Sequence, residues 1–324
     1  MQIGLPHAPG SVPGMAPSTD RIVGSLLGLA CGDALGAGYE FTYPEPDAPI
    51  SMTGGGGFGW EPGEWTDDTQ MAICIAREAA TGHLEPAAVG DRFLDWIRSG
   101  PTDVGIMTRA VLSAASTGQD LPAVATDYCR AHPRCAGNGS LMRTAPVALA
   151  YLGDRGAIVA AAREISDLTH ADPLAGDACV LWCLAIDHAI HHAEFDLIDG
   201  LEFIASERRG FWTEKIADAE SADPGSFTPN GFVVTALQAA WASITQTPVP
   251  KDRPAGHLGD ALVAAVRIGH DTDTVAAIAG SLLGARWGLS AVPLRWKALL
   301  HGWPGYDARD LTRLAVLSAG KGDN

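Results

Sequence analysis

The chain has 324 residues, of which 47% are hydrophobic and 19% charged, so it holds enough apolar material for a large folded core. Twenty-two basic and 38 acidic residues give a net charge of −16, which opposes binding to nucleic acid or anionic lipid because both need a surplus of Lys and Arg. No uninterrupted apolar run reaches the ~18 residues that cross a bilayer, so we expect neither a nucleic-acid partner nor a membrane partner.

The N-terminal segment predicts a disordered tail over residues 1–20. It is rich in Pro and Gly and lacks both the basic start and the apolar core of a signal peptide, so we expect a cytoplasmic protein. No Pro/Gly/Ser-rich linker divides the rest of the chain convincingly. We therefore predict one folded domain over residues 21–318 and a short C-terminal tail over residues 319–324.

Beyond the tail, apolar residues recur at helical spacing in segment after segment. The faces lie, in chain order, within residues 22–30, 71–79, 93–97, 174–189, 232–240, 262–266 and 275–283. Strand-like alternation is scarce, and Ala, the best helix former, is abundant. The pattern predicts an all-α protein, a single compact bundle of many helices, with surface loops over residues 221–230 and 247–259. We expect neither the N-terminal tail nor the first of these loops to touch the acidic clusters described below.

A short repeat links the first and last of these helical faces. Residues 24–28 read GSLLG, and the same five letters recur at residues 280–284. Each copy places two glycines four residues apart on one helix face, which permits close approach of another backbone. We interpret the repeat as a sign of tight helix packing, because five residues in two places do not establish a duplication.

The six cysteines predict no disulfide framework. None falls in a CxxC pair, and most lie in apolar segments. Cys179 and Cys183 are one helical turn apart beside Leu181 and Trp182, so we expect both to be reduced core residues.

Two acidic clusters precede predicted helices, at residues 64–69 (EWTDDT) and 270–274 (HDTDT). Adjacent carboxylates repel one another unless a cation compensates their charge. Both clusters offer carboxylate and hydroxyl oxygens and no sulfur, a donor set that suits Mg²⁺ or Mn²⁺. If the clusters meet, they offer enough oxygens for two metal ions. The alternative is that both are helix caps, since Asp and Thr are favoured at that position.

Two glycine segments and two isolated residues complete the candidates. Residues 54–59 (GGGGFG) formally match GxGxxG, but no strand precedes them and no helix follows directly, so we interpret them as a loop that delivers the next segment. Residues 137–140 (GNGS) could cradle a phosphate through backbone N–H groups at a helix start, or form an ordinary turn. His170, in a loop before the long helix, is a candidate hydrogen-bonding residue, and Asp103 alone would be an ordinary turn residue.

Taken in this order, the motifs resemble those of the ADP-ribosylglycohydrolase family, hydrolases that remove ADP-ribose from modified proteins. The resemblance runs from residue 24 to residue 288. It rests on residues 32–36 (GDALG), 39–41 (YEF), 63–69 (GEWTDDT), 137–143 (GNGSLMR), 169–170 (TH) and 269–274 (GHDTDT). The paired acidic clusters are specific to the family, whereas the glycine segments are not. The Gly-rich approach to Thr66 and the turn at residues 101–105 look most like the bacterial branch, the dinitrogenase reductase-activating glycohydrolases.

The resemblance implies a helical bundle with a cleft that holds a dinuclear centre of two Mg²⁺ or Mn²⁺ ions. The implied metal ligands are Thr66, Asp67, Asp68, Asp271, Asp273 and Thr274. The implied catalytic residues are Glu40, Asp68 and Asp273. The implied substrate contacts are Asp103 near the ribose, Gly137, Asn138, Gly139 and Ser140 at the diphosphate, and His170 in the wall of the ADP-ribose site.

The implied activity is metal-dependent release of ADP-ribose by cleavage of the C1″ glycosidic bond in an ADP-ribosylated protein or a small ADP-ribosyl substrate. The residue chemistry agrees, because carboxylates stabilise the oxocarbenium character that develops at C1″. The bacterial-branch features favour an arginine linkage, while serine-linked and small-molecule substrates stay open. A non-catalytic ADP-ribose-binding protein and a dimetal phosphohydrolase are the other readings; the intact acids oppose the first, and the scarcity of nearby histidines opposes the second.

Overall fold

The computed structural model describes residues 17–45 and 47–320, so residues 1–16 of the predicted tail lie outside the described part. Within it the chain forms fourteen α-helices and one two-stranded antiparallel sheet. The helices are α1 (Thr19–Gly36), α2 (Asp67–Ala79), α3 (Pro86–Arg98), α4 (Ile106–Ala114), α5 (Leu121–Ala131), α6 (Ala145–Ala150), α7 (Arg155–Asp167), α8 (Pro173–His192), α9 (Ser206–Ser221), α10 (Val233–Thr245), α11 (His257–Arg267), α12 (Thr272–Trp287), α13 (Leu294–Leu299) and α14 (Ala308–Ser318). The sheet pairs β1 (His301–Gly302) with β2 (Tyr306–Asp307). The prediction of an all-α fold is confirmed, but helix α1 begins two residues inside the predicted tail.

The long helix α8 shows how local chemistry sets the helix starts. Pro173 occupies its first turn, where a missing backbone N–H costs nothing. The Asp172 side chain accepts a hydrogen bond of 2.9 Å from the backbone N–H of Leu174, one of the donors that a helix start leaves without an internal partner. The helix is then almost entirely buried as far as residue 190. Because other helices pack around it, most of its positions are apolar.

Helices α1 and α12 lie antiparallel at the centre of the bundle, in direct backbone contact. The glycines of the two GSLLG copies face one another, and a Cβ on Gly28 would overlap the carbonyl oxygen of Gly280. At the end of the same contact, Gly36 lies against the backbone of Asp273. The repeat is therefore a packing feature, and it brings the C-terminal end of α1 to the N-terminal start of α12.

The Gly280→Ala variant is expected to lower the free energy of unfolding by about 3 kcal/mol or more, because overpacking here is between two backbones and no rotamer change relieves it. Gly210→Ala is the matched control, since Gly210 lies within α9 and a Cβ there would meet no atom within 4 Å. The control is expected to raise the free energy of unfolding by up to about 1 kcal/mol. Denaturant unfolding measures both free energies. Changes below about 1 kcal/mol in both variants would contradict the close backbone packing of α1 against α12.

Two segments are long and apolar enough to cross a membrane by length and composition, which corrects the expectation drawn from uninterrupted runs. They are Thr19–Tyr39 and Pro173–His192, and 89% and 83% of their apolar windows are buried inside the protein. Buried acids, Asp33 in the first and Asp177 in the second, interrupt the apolar letters. The apolar surfaces of both segments are already covered by the rest of the chain.

The six cysteines comprise four free thiols and one disulfide-bonded pair. Cys31, Cys74, Cys179 and Cys183 are buried free thiols, as expected for the last two. The other pair, Cys129 and Cys135, forms a disulfide with a Cα–Cα distance of 5.2 Å, which the sequence did not predict, although one bridge is not a disulfide framework. This is a local bridge between the last turn of α5 and the loop after it, which spacing arguments about disulfide frameworks do not address.

Candidate metal centre

A cleft of about 550 Å³ opens beside the N-terminal ends of α2 and α12. The predicted site residues that line it are Glu40, Asp67, Asp103, Gly137, Asn138, Gly139, His170, Asp271, Asp273 and Thr274. Thr66 and Asp68 are fully buried and do not line it. The Thr274 Oγ1 lies 3.5 Å from Asp68 Oδ2, so the structure brings together two acidic clusters that lie some 200 residues apart in the sequence.

The acidic clusters do not serve as helix caps, although they occupy the capping positions. Thr66 precedes α2 and Asp271 precedes α12, but neither side chain makes the capping hydrogen bond. Thr66 Oγ1 instead donates to Asp68 Oδ2 at 3.0 Å, and Asp271 Oδ2 accepts from Asn138 Nδ2 at 2.7 Å. The oxygens of both clusters are therefore committed to the site and not to the helix ends.

The acid that caps α2 comes from another helix and is not among the predicted site residues. Asp33, fully buried in α1, accepts hydrogen bonds from the backbone N–H groups of Thr66 (2.9 Å) and Thr69 (3.0 Å). Burial raises the pKa of Asp33 to about 6, and the hydrogen bonds from Thr69 and Thr66 limit the rise. Capping from α1 leaves Asp67 and Asp68 available for other partners. The signal in the sequence was a lone aspartate within an apolar helical face.

The carboxylates form two groups that share Asp273. Oxygens of Asp33, Asp68 and Asp273 lie within 4.8 Å of one another, and so do oxygens of Glu40, Asp271 and Asp273. Among the described residues, no Lys, Arg or His forms an ion pair with any of these five acids. Glu40 Oε2 and Asp68 Oδ1 are buried without a hydrogen-bond partner. An all-oxygen, unpaired acidic donor set of this kind fits a hard divalent cation.

Burial and mutual repulsion raise the pKa of the carboxyls in these groups. Desolvation, and then the charges of Asp103 and Asp271, raise the pKa of Glu40 to about 9. Desolvation is also the first cause, and repulsion from neighbouring acids the second, of the strongly raised pKa of Asp68 and of Asp273. Without a cation the folded protein therefore holds protons in this cluster that an unfolded chain would release at neutral pH.

The metal-free protein is expected to become less stable as pH rises from about 4 to about 9. Carboxyls of the unfolded chain ionise near pH 4, whereas folded Glu40 ionises near pH 9. Between these limits the folded state binds more protons than the unfolded state, so its stability falls with each unit of pH. Thermal unfolding in EDTA across this range measures the slope, and saturating Mg²⁺ or Mn²⁺ should flatten it. An unfolding temperature that stays constant or rises with pH in EDTA would contradict this electrostatic description.

The loop over residues 221–230 reaches the acidic clusters through its last residue, so the expectation that it stays apart is wrong. Asn230 is fully buried; its Oδ1 accepts from the backbone N–H of Asp271 at 2.9 Å, and its Nδ2 donates to the Gly269 carbonyl at 3.1 Å. Its own carbonyl accepts from Asn138 Nδ2, the same amide that donates to Asp271. Asn230 therefore ties the glycine loop to the second acidic cluster.

The Asn230→Ala variant is expected to weaken divalent-cation binding by about 10- to 100-fold, because the residues that orient metal ligands carry effects of that size. Gln246→Ala is the control, since the Gln246 amide, like that of Asn230, makes two hydrogen bonds to the backbone, but both go to carbonyls of α9 and the loop after it, those of Ala219 and Ala222. Calorimetric titration with Mn²⁺ compares the two variants. Equal cation affinity in Asn230→Ala and the unaltered protein would remove Asn230 from the site.

The glycine loop lies against His170, in a turn and not at a helix start. A Cβ on Gly139 would lie 2.9 Å from His170 Cε1, so the close approach requires glycine. The next helix, α6, begins five residues after the loop ends, so the predicted helix start at residues 137–140 is wrong. Ser140 also departs from its predicted position: its buried hydroxyl accepts a 2.9 Å hydrogen bond from Ser166 Oγ and does not line the cleft.

Comparison with known proteins gives one consistent result. The family model described as ADP-ribosylglycohydrolase matches residues 15–324. ADP-ribosyl-[dinitrogen reductase] glycohydrolase of Rhodospirillum rubrum is 31% identical over 299 residues, which cover 87% of this chain and 90% of that protein. ADP-ribosylarginine hydrolase Tri1 of Serratia proteamaculans is 29% identical over 293 residues, covering 86% and 75%. A solved structure titled ADP-ribosylglycohydrolase-related protein complex superposes with a TM-score of 0.71 at 27% identity, covering 94% of this chain and 99% of that one.

Proposed function

The chain belongs to the ADP-ribosylglycohydrolase family, whose members hydrolyse glycosidic bonds, and from this premise we propose that it is a metal-dependent enzyme that releases ADP-ribose from arginine side chains of modified proteins. The observation that carries the proposal is the presence beside the cleft of two clusters of three carboxylates each, which have Asp273 in common. Such a site has the charge needed to bind hard cations and to stabilise a positive sugar carbon in the transition state.

The two groups support a centre of two Mg²⁺ or Mn²⁺ ions. Asp33, Asp68 and Asp273 would hold one ion and Glu40, Asp271 and Asp273 the other. The hydroxyls of Thr66 and Thr274 contact Asp68, and Asp67 lines the same cleft. When bound, such ions act as Lewis acids and fix neighbouring hydroxyl groups of a sugar. A cation here would also remove the repulsion that raises the pKa values of these acids, which supports metal dependence.

Glu40 is the residue we assign to proton transfer. Of the two buried carboxylate oxygens that lack a hydrogen-bond partner in the described part of the chain, only that of Glu40 belongs to a residue lining the cleft. A carboxylate with an uncommitted oxygen can orient a water molecule and accept its proton as that water attacks C1″. The carboxylates around it stabilise the positive charge that the sugar ring develops.

Two acids in the lining of the cleft support an arginine linkage. Asp67 and Asp103 both line the cleft, and Asp103 is close enough to raise the pKa of Glu40 and of Asp67 by its charge. A planar guanidinium group is recognised best by carboxylates, which accept two parallel hydrogen bonds from it. The relative named ADP-ribosylarginine hydrolase agrees with this choice. A serine linkage offers no such cation to these acids.

Product analysis by chromatography tests the proposed reaction. Incubation with an ADP-ribosylated protein and Mg²⁺ or Mn²⁺ should release intact ADP-ribose and leave an unmodified acceptor. Release of phosphate or AMP would indicate a phosphohydrolase instead. Binding of ADP-ribose without release from arginine, serine or small-molecule conjugates would indicate a binding protein, and either outcome would overturn the proposal.

A further inference from the structure

Arg143 is a fully buried cation that does not line the cleft. Its guanidinium lies 4.4 Å above the ring of Phe93, and its Nη1 approaches the sulfur of Met71 at 3.4 Å. It forms no ion pair with any acid of the described chain, and its Nε has no hydrogen-bond partner. A buried charge without an acid partner is costly, so its one strong polar contact calls for a functional explanation.

That contact is to Thr169, and it fixes the direction of a hydrogen-bond chain. Arg143 Nη2 donates to Thr169 Oγ1 at 2.7 Å, and the same oxygen lies 2.7 Å from His170 Nδ1. An arginine can only donate, so Thr169 accepts from it and has its single hydroxyl proton left to give. In the described chain the Thr169 hydroxyl has no other partner. If Nδ1 carried the proton, this buried hydroxyl would accept twice and its own proton would have no acceptor, which is costly, so we infer that Thr169 donates to His170 Nδ1. The Nδ1 atom therefore carries no proton.

The other ring nitrogen of His170 then carries the proton and faces the glycine loop. His170 Nε2 lies 3.1 Å from the position that a Cβ on Gly139 would take, and His170 lines the cleft. Burial, and then the charge of Arg143, lower the pKa of His170 to about 3. The ring is therefore neutral at physiological pH, and its Nε2–H is a donor and not a proton acceptor.

We propose that Arg143 and Thr169 are positioning residues that lock His170 in its Nε2–H tautomer, so that His170 acts as a fixed hydrogen-bond donor to an anionic oxygen of the ligand bound beside the glycine loop. The chain Arg143, Thr169, His170 carries this role because each member determines the donor of the next. On this proposal His170 takes no part in acid–base chemistry. The inference rests on the proposed function only in taking the diphosphate of ADP-ribose as that ligand.

Nitrogen-15 NMR of histidine-labelled protein at neutral pH tests the tautomer without any need for activity. The spectrum of His170→Gln identifies the His170 signals by their loss. In the unaltered protein, we expect a protonated Nε2 and an unprotonated Nδ1 that accepts a hydrogen bond. Thr169→Val should give averaged shifts from mixed tautomers, and Thr169→Ser should restore the original pattern. A proton on Nδ1, or a charged ring, would overturn the proposal whether or not the protein hydrolyses ADP-ribose conjugates.

ADP-ribose binding by calorimetry tests the consequence for the ligand. Thr169→Val should raise Kd about tenfold, the effect of losing one well-oriented bond to a charged group, and Thr169→Ser should stay within about twofold of the unaltered protein. A Gln at position 170 offers an amide donor that has no tautomers, so in the His170→Gln background Thr169→Val should change Kd less than about twofold. Equal losses in both backgrounds would indicate a merely structural Thr169 and overturn the proposal. No binding in any variant would instead contradict the proposed function, with the NMR result still deciding the tautomer.

Discussion

The Asp273→Asn variant is expected to lose divalent-cation binding and turnover by on the order of 10³-fold or more while remaining folded. Asp273 belongs to both carboxylate groups, so one substitution removes a donor from each. Asp273 is 1% exposed, and in the described chain its side chain accepts a hydrogen bond only from the backbone N–H of Thr274. Calorimetric titration with Mn²⁺ and an ADP-ribose release assay measure the two losses.

The same substitution is expected to keep or raise the stability of the metal-free protein. Repulsion from Glu40 and Asp68 adds to desolvation in raising the pKa of Asp273, so a neutral side chain of the same size removes an unfavourable interaction. Asp177→Asn is the matched control. Asp177 is equally buried but pairs with Arg163 and Arg208, so its loss should cost about 3 kcal/mol without changing cation affinity. A fully active, metal-replete Asp273→Asn protein would disprove the assignment of the centre.

The Glu40→Gln variant is expected to keep its affinity for ADP-ribose and to lose turnover by about 10²- to 10⁴-fold, the range for removal of a general base. The amide has nearly the shape of the carboxyl group, so it should leave the cleft intact. It cannot take up a proton from an attacking water molecule. Turnover measured at saturating substrate, beside calorimetric binding of ADP-ribose, separates the two effects.

Glu78→Gln is the control for that variant, because Glu78 is 8% exposed against 7% for Glu40 but pairs with Arg92, and neither residue of this pair lines the cleft. It should lose stability and retain turnover. Unchanged turnover in Glu40→Gln would remove Glu40 from the catalytic residues. Another acid of the two clusters would then have to accept the proton.

The fold was predictable from the sequence because its signals are local. Helical periodicity identified seven of the fourteen helices of the described chain, and the two GSLLG copies indicated close packing before any partner was known. The antiparallel contact of α1 with α12 explains why the site forms where it does: Gly36 admits the backbone of Asp273, and Asp33 lies one turn earlier on the same helix. Periodicity shows that a helix has a packing face but not which helix packs on it, so this juxtaposition followed only from the structure.

The parts of the site that sequence reasoning missed depend on contacts between distant segments. Asp33 caps α2 across 33 residues, and Asn230 supports Asp271 across 41 residues. Neither residue belongs to a spacing pattern that signals such a role. The position of Ser140 was misjudged for a related reason, since a glycine-rich segment before a helical pattern need not be the helix start. The acidic clusters could be recognised in the sequence because adjacent carboxylates repel one another and stand out beside the apolar helical faces that follow them.

The most direct test of the central claim is ADP-ribose release from arginine-modified and serine-modified proteins, each in EDTA, in Mg²⁺ and in Mn²⁺. The proposed function predicts release from the arginine-modified protein with either cation and none in EDTA. Release that persists in EDTA would contradict the metal centre, and release from the serine-modified protein alone would contradict the arginine assignment. Absence of release from both, with all three solutions, would contradict hydrolysis of these protein linkages altogether.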